Sequence, residues 1–124
     1  MPMFVLNTNV QLSEVKKVEL LKDLSKTIAT ILDKPESFTY VSVNTGATIV
    51  MDGNTEPAGF GVLKSITGLG GEKNNDYAKT LYPIIEKHTG IVGTRLYLEF
   101  HSTEAANIAH NGETFTHILK KINL

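Results

Sequence analysis

Residues 13–32 read SEVKKVELLKDLSKTIATIL, and the segments on either side of that stretch decide the fold. Val15, Val18, Leu21, Leu24, Ile28 and Ile31 recur at three- and four-residue steps, which predicts one apolar stripe along an amphipathic helix. Lys16, Lys17, Glu19, Lys22, Asp23 and Lys26 fall mainly off that stripe. Ser13 is the expected N-cap, and Glu14 suits the positive end of the helix. Pro35 forbids further helix because it disfavours α geometry at Lys34. Before the helix, MFVLNT is a short β-leaning run that follows Pro2, and a proline without an amide hydrogen fits best at the first residue of a strand. After it, residues 38–44 (FTYVSVN) are rich in aromatic and β-branched residues and read as a strand. A connection of this length allows the two strands to lie parallel.

The second half repeats the plan with little visible likeness in sequence. Residues 49–51 are a short strand at most, and 52–54 (DGN) a turn. Residues 58–66 (AGFGVLKSI) read as a strand in which Gly59 and Gly61 imply a bulge or a close backbone approach. Gly68-Leu69-Gly70-Gly71 breaks the chain. Residues 76–88 are expected to be helical, with Tyr77, Leu81, Ile84, Ile85 and His88 on one side, Asn75 as N-cap and Gly90 as left-handed terminator. Pro83 opposes this reading at about 3 kcal/mol, so a bend is expected there. Residues 95–100 (RLYLEF) alternate as a strand. The order predicts an α/β chain of two β-α-β units in a single domain, residues 1–124.

Composition narrows the functions. With 41% hydrophobic and 20% charged residues and a net charge of −1, the chain has no basic excess to attract nucleic acid or an anionic membrane. It contains no cysteine, which excludes disulfides, cysteine metal sites and thiol catalysis. MPMFVLNTNV lacks the charged and apolar regions of a signal peptide, and no stretch is long enough to span a bilayer. The expectation is a cytoplasmic protein, with any export by a leaderless route.

A few residues carry potential chemistry. A small residue after the initiator methionine generally permits its removal, which would give Pro2 a free secondary amine. An α-amino group titrates near ~8, closer to neutrality than lysine, and burial or a nearby cation lowers that value. Such an amine can abstract a proton beside a carbonyl. The plain alternative is a proline at a strand start. Lys34 is either a solvated cation at a helix C-terminus or a fixed charge for a carboxylate or an enolate oxygen. The glycine loop lies where phosphate loops sit, but a dinucleotide pattern needs glycine where Lys73 stands, so a turn is the better account. His88, His101, His110 and His117 lack metal-ligand spacing, and no metal site is expected.

Taken together and in order, several segments resemble the macrophage migration inhibitory factor / D-dopachrome tautomerase family of the tautomerase superfamily. They are Met-Pro-Met-Phe-Val with Asn7-Thr8-Asn9-Val10, Lys34-Pro35, Glu56-Pro57-Ala58, Ser65-Ile66, Arg95-Leu96-Tyr97, and Ala105-Ala106-Asn107 with Asn111 and Thr114-Phe115. The resemblance implies a four-stranded sheet with two helices on one face, assembled as a ring-like homotrimer with sites between subunits. It implies Pro2 as catalytic base and Lys34 beside it. Ser65 and Ile66 would line the pocket, Tyr97 would reach in from a neighbour, and Phe38, Ile108 and Phe115 would form the apolar wall and rim. The implied reaction is keto–enol tautomerisation of a small aromatic keto acid of phenylpyruvate or dopachrome type, with no cofactor. The family also includes cytokines that bind the MHC class II invariant chain. A secreted signalling ligand with a weak or vestigial site is therefore the competing expectation.

The sequence departs from the family pattern at the mouth of that pocket. Glu99 stands where asparagine is usual, His110 replaces the rim tryptophan of the mammalian proteins, Glu113 replaces a small residue and Lys64 a histidine. A more polar and charged mouth is expected to alter substrate preference. The positions of the family's Cys-x-x-Cys pair hold Ala58 and Gly61, which excludes thiol-disulfide chemistry. Residues 116–124 (THILKKINL) extend past the usual end. Ile118, Leu119, Ile122 and Leu124 are expected to pack on a neighbouring subunit, the alternative being a frayed tail.

Overall fold

The computed structural model describes residues 1–122. β1 (Met3–Thr8) leads into α1 (Glu14–Ile31), which returns to β2 (Tyr40–Asn44). β3 (Gly59–Ser65), α2 (Gly71–Thr89) and β4 (Leu96–Ser102) repeat the pattern. A two-residue hairpin, β5 (Ala109–His110) and β6 (Glu113–Thr114), and a final helix α3 (Phe115–Lys121) complete it. The sheet order is β2-β1-β3-β4. β1 runs parallel to β2 and β3 parallel to β4, as two β-α-β units require, and the units join through an antiparallel β1–β3 pair.

Alternation along the strands places one face of the sheet under both helices. Phe4 and Leu6 of β1, Leu63 of β3 and Leu96 of β4 pack in one core with Leu20, Leu24 and Ile28 of α1 and Leu81 and Ile85 of α2. Each such side chain, buried fully, contributes about 1.5–3 kcal/mol. Gly61 faces this core where the sheet is closest to its own neighbours. A Cβ there would lie 2.7 Å from Phe4 Cζ and 2.8 Å from Leu98 Cδ2. Gly59 is similarly crowded by Ile91 and Leu96. Close packing, and no bulge, accounts for the two glycines, since β3 pairs in unbroken register on both sides.

The segments singled out in the sequence also form a structural knot at the far end of the sheet. Thr8 Oγ1 donates to the Ala58 carbonyl (2.7 Å), and the Asn9 side chain bonds the backbone of Thr55, Glu56 and Ala58. Arg95 donates to the carbonyls of Met51, Glu56 and Pro57. One guanidinium, one carboxamide and the Thr8 hydroxyl thus fix residues 51–58, in which the β pairing is the single Met51–Asn54 bridge, where a short strand at 49–51 was the most expected.

Other boundaries differ from the sequence reading for identifiable reasons. Ser13 does cap α1, its hydroxyl accepting the Lys16 N–H. The buried line, however, runs Leu20–Leu24–Ile28 in steps of four. At 3.6 residues per turn Val15 and Val18 fall on the far side, and they are 69% and 46% exposed. β2 starts at Tyr40 because a 3₁₀ turn occupies Glu36–Phe38, closed by Phe38 N–H to Pro35 and Thr39 N–H to Glu36. α2 begins at Gly71, before the expected residue 76. Gly70, not Asn75, is its cap, and Asn74 Oδ1 accepts the Gly70 N–H (2.8 Å). Pro83 lies inside α2 on an exposed face, and Gly90 ends the helix at φ 76°. His88 Nε2 meets Asp23 Oδ2 at 2.9 Å, tying α2 to α1. Residues 115–121 form α3, and Ile118, Leu119 and Ile122 line a cavity of their own chain; Leu124 lies outside the described residues.

Candidate active site

Lys34 reaches the site through the way α1 ends. Leu32 caps the helix and Asp33 takes a left-handed conformation at φ 52°. The Asp33 N–H bonds the Thr30 carbonyl (3.2 Å) and the Lys34 N–H the Ala29 carbonyl (2.9 Å), the paired closure of a Schellman motif. Pro35 then holds the chain extended, and Lys34 Nζ donates to Thr67 Oγ1 at 2.7 Å, just past β3. Phe38, carried inward by the 3₁₀ turn, meets His110 and Phe115 edge to face, with ring centroids 5.3 and 5.8 Å away.

These elements enclose a cavity of about 300 Å³, within the size range of small-ligand sites. Met1, Lys34, Pro35 and Phe38 form one side, Ile66 and Thr67 the end of β3, and Phe115, Ile118, Leu119 and Ile122 the wall supplied by α3. The side-chain polar groups in that lining are the Lys34 ammonium and the Thr67 hydroxyl, already bonded to each other. Pro2 is buried directly behind Met1, with its carbonyl accepting the Tyr40 N–H (3.0 Å). The terminal amine of Met1 is held below its ordinary pKa, first by burial and then by the Lys34 charge. The Met1 amine therefore stays uncharged closer to neutrality than a free amine would.

The structure gathers only part of the expected set. Lys34, Phe38, Ile66 and Phe115 line the cavity, and His110 joins the aromatic rim. Ser65 is buried just behind it, its hydroxyl donating to the Thr67 carbonyl (2.7 Å). Ile108 acts through its carbonyl, which accepts the Phe115 N–H (2.9 Å). Tyr97 and Glu99 do not join. They project from the uncovered face of β4, Tyr97 opposite Phe60, five residues along β3 from Ser65 and so roughly 16 Å away. Thr67 and the α3 wall were missed. The spacing of Ile118, Leu119 and Ile122 signals one apolar helical face, but not which surface it covers. A second hollow of about 190 Å³, bounded by Asn9, Val10, Ile49 and Pro57 among others, has no titratable side chain in its lining. Among the described residues no three histidine, aspartate or glutamate side chains cluster as metal ligands, and no helix is long and apolar enough to cross a membrane.

The fold is a small β-α-β-β-α-β chain with an apolar cavity beside its N-terminus. Comparison with known proteins agrees. The family model described as macrophage migration inhibitory factor (MIF) matches residues 1–116. A macrophage migration inhibitory factor homologue of Trichuris trichiura is 43% identical over 115 residues, 93% of this chain and 100% of that protein. The structure of a homologue from Prochlorococcus marinus superposes with a TM-score of 0.87 at 30% identity, covering 91% of this chain and 98% of its own. The factor from Oncomelania hupensis, alike in fold alone at 24% identity, gives a TM-score of 0.84 and covers 99% of this chain and 94% of its own. The chain belongs to the macrophage migration inhibitory factor family, within the tautomerase superfamily.

Proposed function

We propose that this protein is a keto–enol tautomerase whose base is the amine of Pro2, freed by loss of Met1. The observation that carries the reading is the depressed basicity of the terminal amine in an apolar cavity beside Lys34. With Met1 in place the Pro2 nitrogen is an amide and has no basicity. With Met1 gone, the burial of Pro2 and the nearby Lys34 ammonium are expected to act in the same direction on a secondary amine.

The reaction follows from these groups. An aromatic keto acid places its carboxylate or carbonyl oxygen at Lys34 and its ring against Phe38, Phe115 and Ile66. The Pro2 nitrogen takes a proton from the carbon beside the carbonyl; the C–H bond breaks, an N–H bond forms, and the electron pair moves to oxygen as an enolate. Lys34 stabilises that charge. The proton returns from nitrogen to the enolate oxygen for the enol, or to carbon in the reverse direction. Each step uses groups of the chain alone.

The complete site is expected in a homotrimer. Tyr97 (62% exposed), Phe60 (44%) and Tyr40 (54%) stand on the uncovered face of the sheet, an apolar surface of the kind that subunit contacts cover. In such an assembly Tyr97 and Glu99 reach the neighbour's cavity.

Intact mass and a phenylpyruvate assay test the reading. The mature protein is expected to lack Met1 and to turn over the keto acid. Pro2→Gly is expected to lose roughly 10²–10⁴-fold in kcat, the usual share of a positioned general base. Turnover that survives Pro2→Gly, or that proceeds with Met1 retained, contradicts it.

A further inference from the structure

The family match ends at residue 116, one residue after α3 begins, yet the helix beyond that point closes the cavity. Ile118, Leu119 and Ile122 line it. The helix is fastened at its start by the Phe115 N–H to the Ile108 carbonyl (2.9 Å) and by the burial of Phe115 (4% exposed). Near its end Lys121 Nζ meets Glu113 Oε2 at 2.6 Å. Glu113, one of the departures noted in the sequence, thus anchors the helix.

We propose that α3 is the specificity wall of the site, selecting small anions whose hydrophobic body carries no polar group on the side facing α3. The three side chains lining the cavity here, Ile118, Leu119 and Ile122, offer neither donor nor acceptor. A ligand hydroxyl laid against them gives up water and gains no partner, which weakens binding by roughly tenfold. An unsubstituted phenyl group has nothing to lose there and fills the space with carbon contacts. The proposal rests on the tautomerase reading for the identity of the reacting end, but the discrimination itself is a property of the wall.

Two unreactive probes separate the ideas: 3-phenylpropanoate and 3-(4-hydroxyphenyl)propanoate, titrated by calorimetry into the full chain after its N-terminus has been weighed. The wild type is expected to favour the first by about tenfold. Ile118→Ser and Leu119→Ser are expected to bring the ratio close to one, chiefly by weakening the phenyl probe and relieving the hydroxyl. Ile122→Ser, at a position 53% exposed, provides a variant that folds if the other two do not, with a smaller shift in the same direction. Equal affinities in the wild type, no binding of either probe, or a preference unchanged in the folded variants overturns the proposal. Because neither probe reacts, a preference that is retained while phenylpyruvate turnover is absent contradicts the tautomerase reading and leaves the wall standing.

Discussion

A single lysine links the end of α1 to the chemistry. Lys34 is placed by the Schellman closure at Asp33 and held by Thr67, and its charge is the second cause, after burial, of the lowered basicity of the terminus. Lowering a base's pKa keeps it deprotonated to lower pH, so the proposed tautomerase is expected to show an acidic limb of kcat/KM below that of a free terminal amine. Lys34→Ala removes the charge and leaves the burial. The limb is then expected to move to higher pH without reaching the free-amine position, and kcat/KM to fall about tenfold at neutral pH through loss of a charge-assisted contact to the ligand. A pH–rate profile of the two proteins checks both. An unmoved limb would mean that Lys34 does not face the base.

At the scale of elements, the sequence disclosed the repeating strand–helix plan and its parallel pairs, because period-two and period-3.6 patterns survive in Met3–Thr8, in residues 96–100 and on the Leu81–Ile85 face. It did not disclose which way α1 turns. Val15 and Val18 fit three- and four-residue steps as well as Leu20 does, and only the sheet decides between faces. The 3₁₀ turn at Glu36–Phe38 was hidden because FTYVSVN has β-forming residues from its first position, while the turn is closed by the Phe38 N–H to the Pro35 carbonyl. Gly61 was legible as a close approach but not as a partner of Phe4 and Leu98. Gly61→Ala forces those side chains aside and is expected to destabilise the fold by about 1–3 kcal/mol. The denaturation midpoint should fall with an unchanged slope; a midpoint within error of wild type would show slack in the core that the geometry does not.

Over the whole molecule, the site's legibility was uneven for a physical reason. Pro2, Lys34 and Ser65-Ile66 come from separate segments that the β1–β3 pairing and the helix exit bring together, and no spacing rule in one dimension records that. Asn9, Glu56-Pro57-Ala58 and Arg95, which carried much of the resemblance, hold the opposite end of the sheet instead. Tyr97 and Glu99 make sense at a site only across subunits. Phe60→Glu puts a charge opposite Tyr97 on the open sheet face and leaves the core face untouched. It is expected to yield monomers by light scattering and to reduce turnover together with assembly. A trimeric, fully active Phe60→Glu protein would place the subunit contact elsewhere.

The central claim concerns one nitrogen. In protein made with ¹⁵N-proline and shown by mass to begin at Pro2, the Pro2 resonance can be followed against pH. The account expects it to titrate below the ordinary range of a terminal amine, at the pH of the acidic limb of kcat/KM. A titration at or above that ordinary range, or one that does not coincide with the limb, contradicts it.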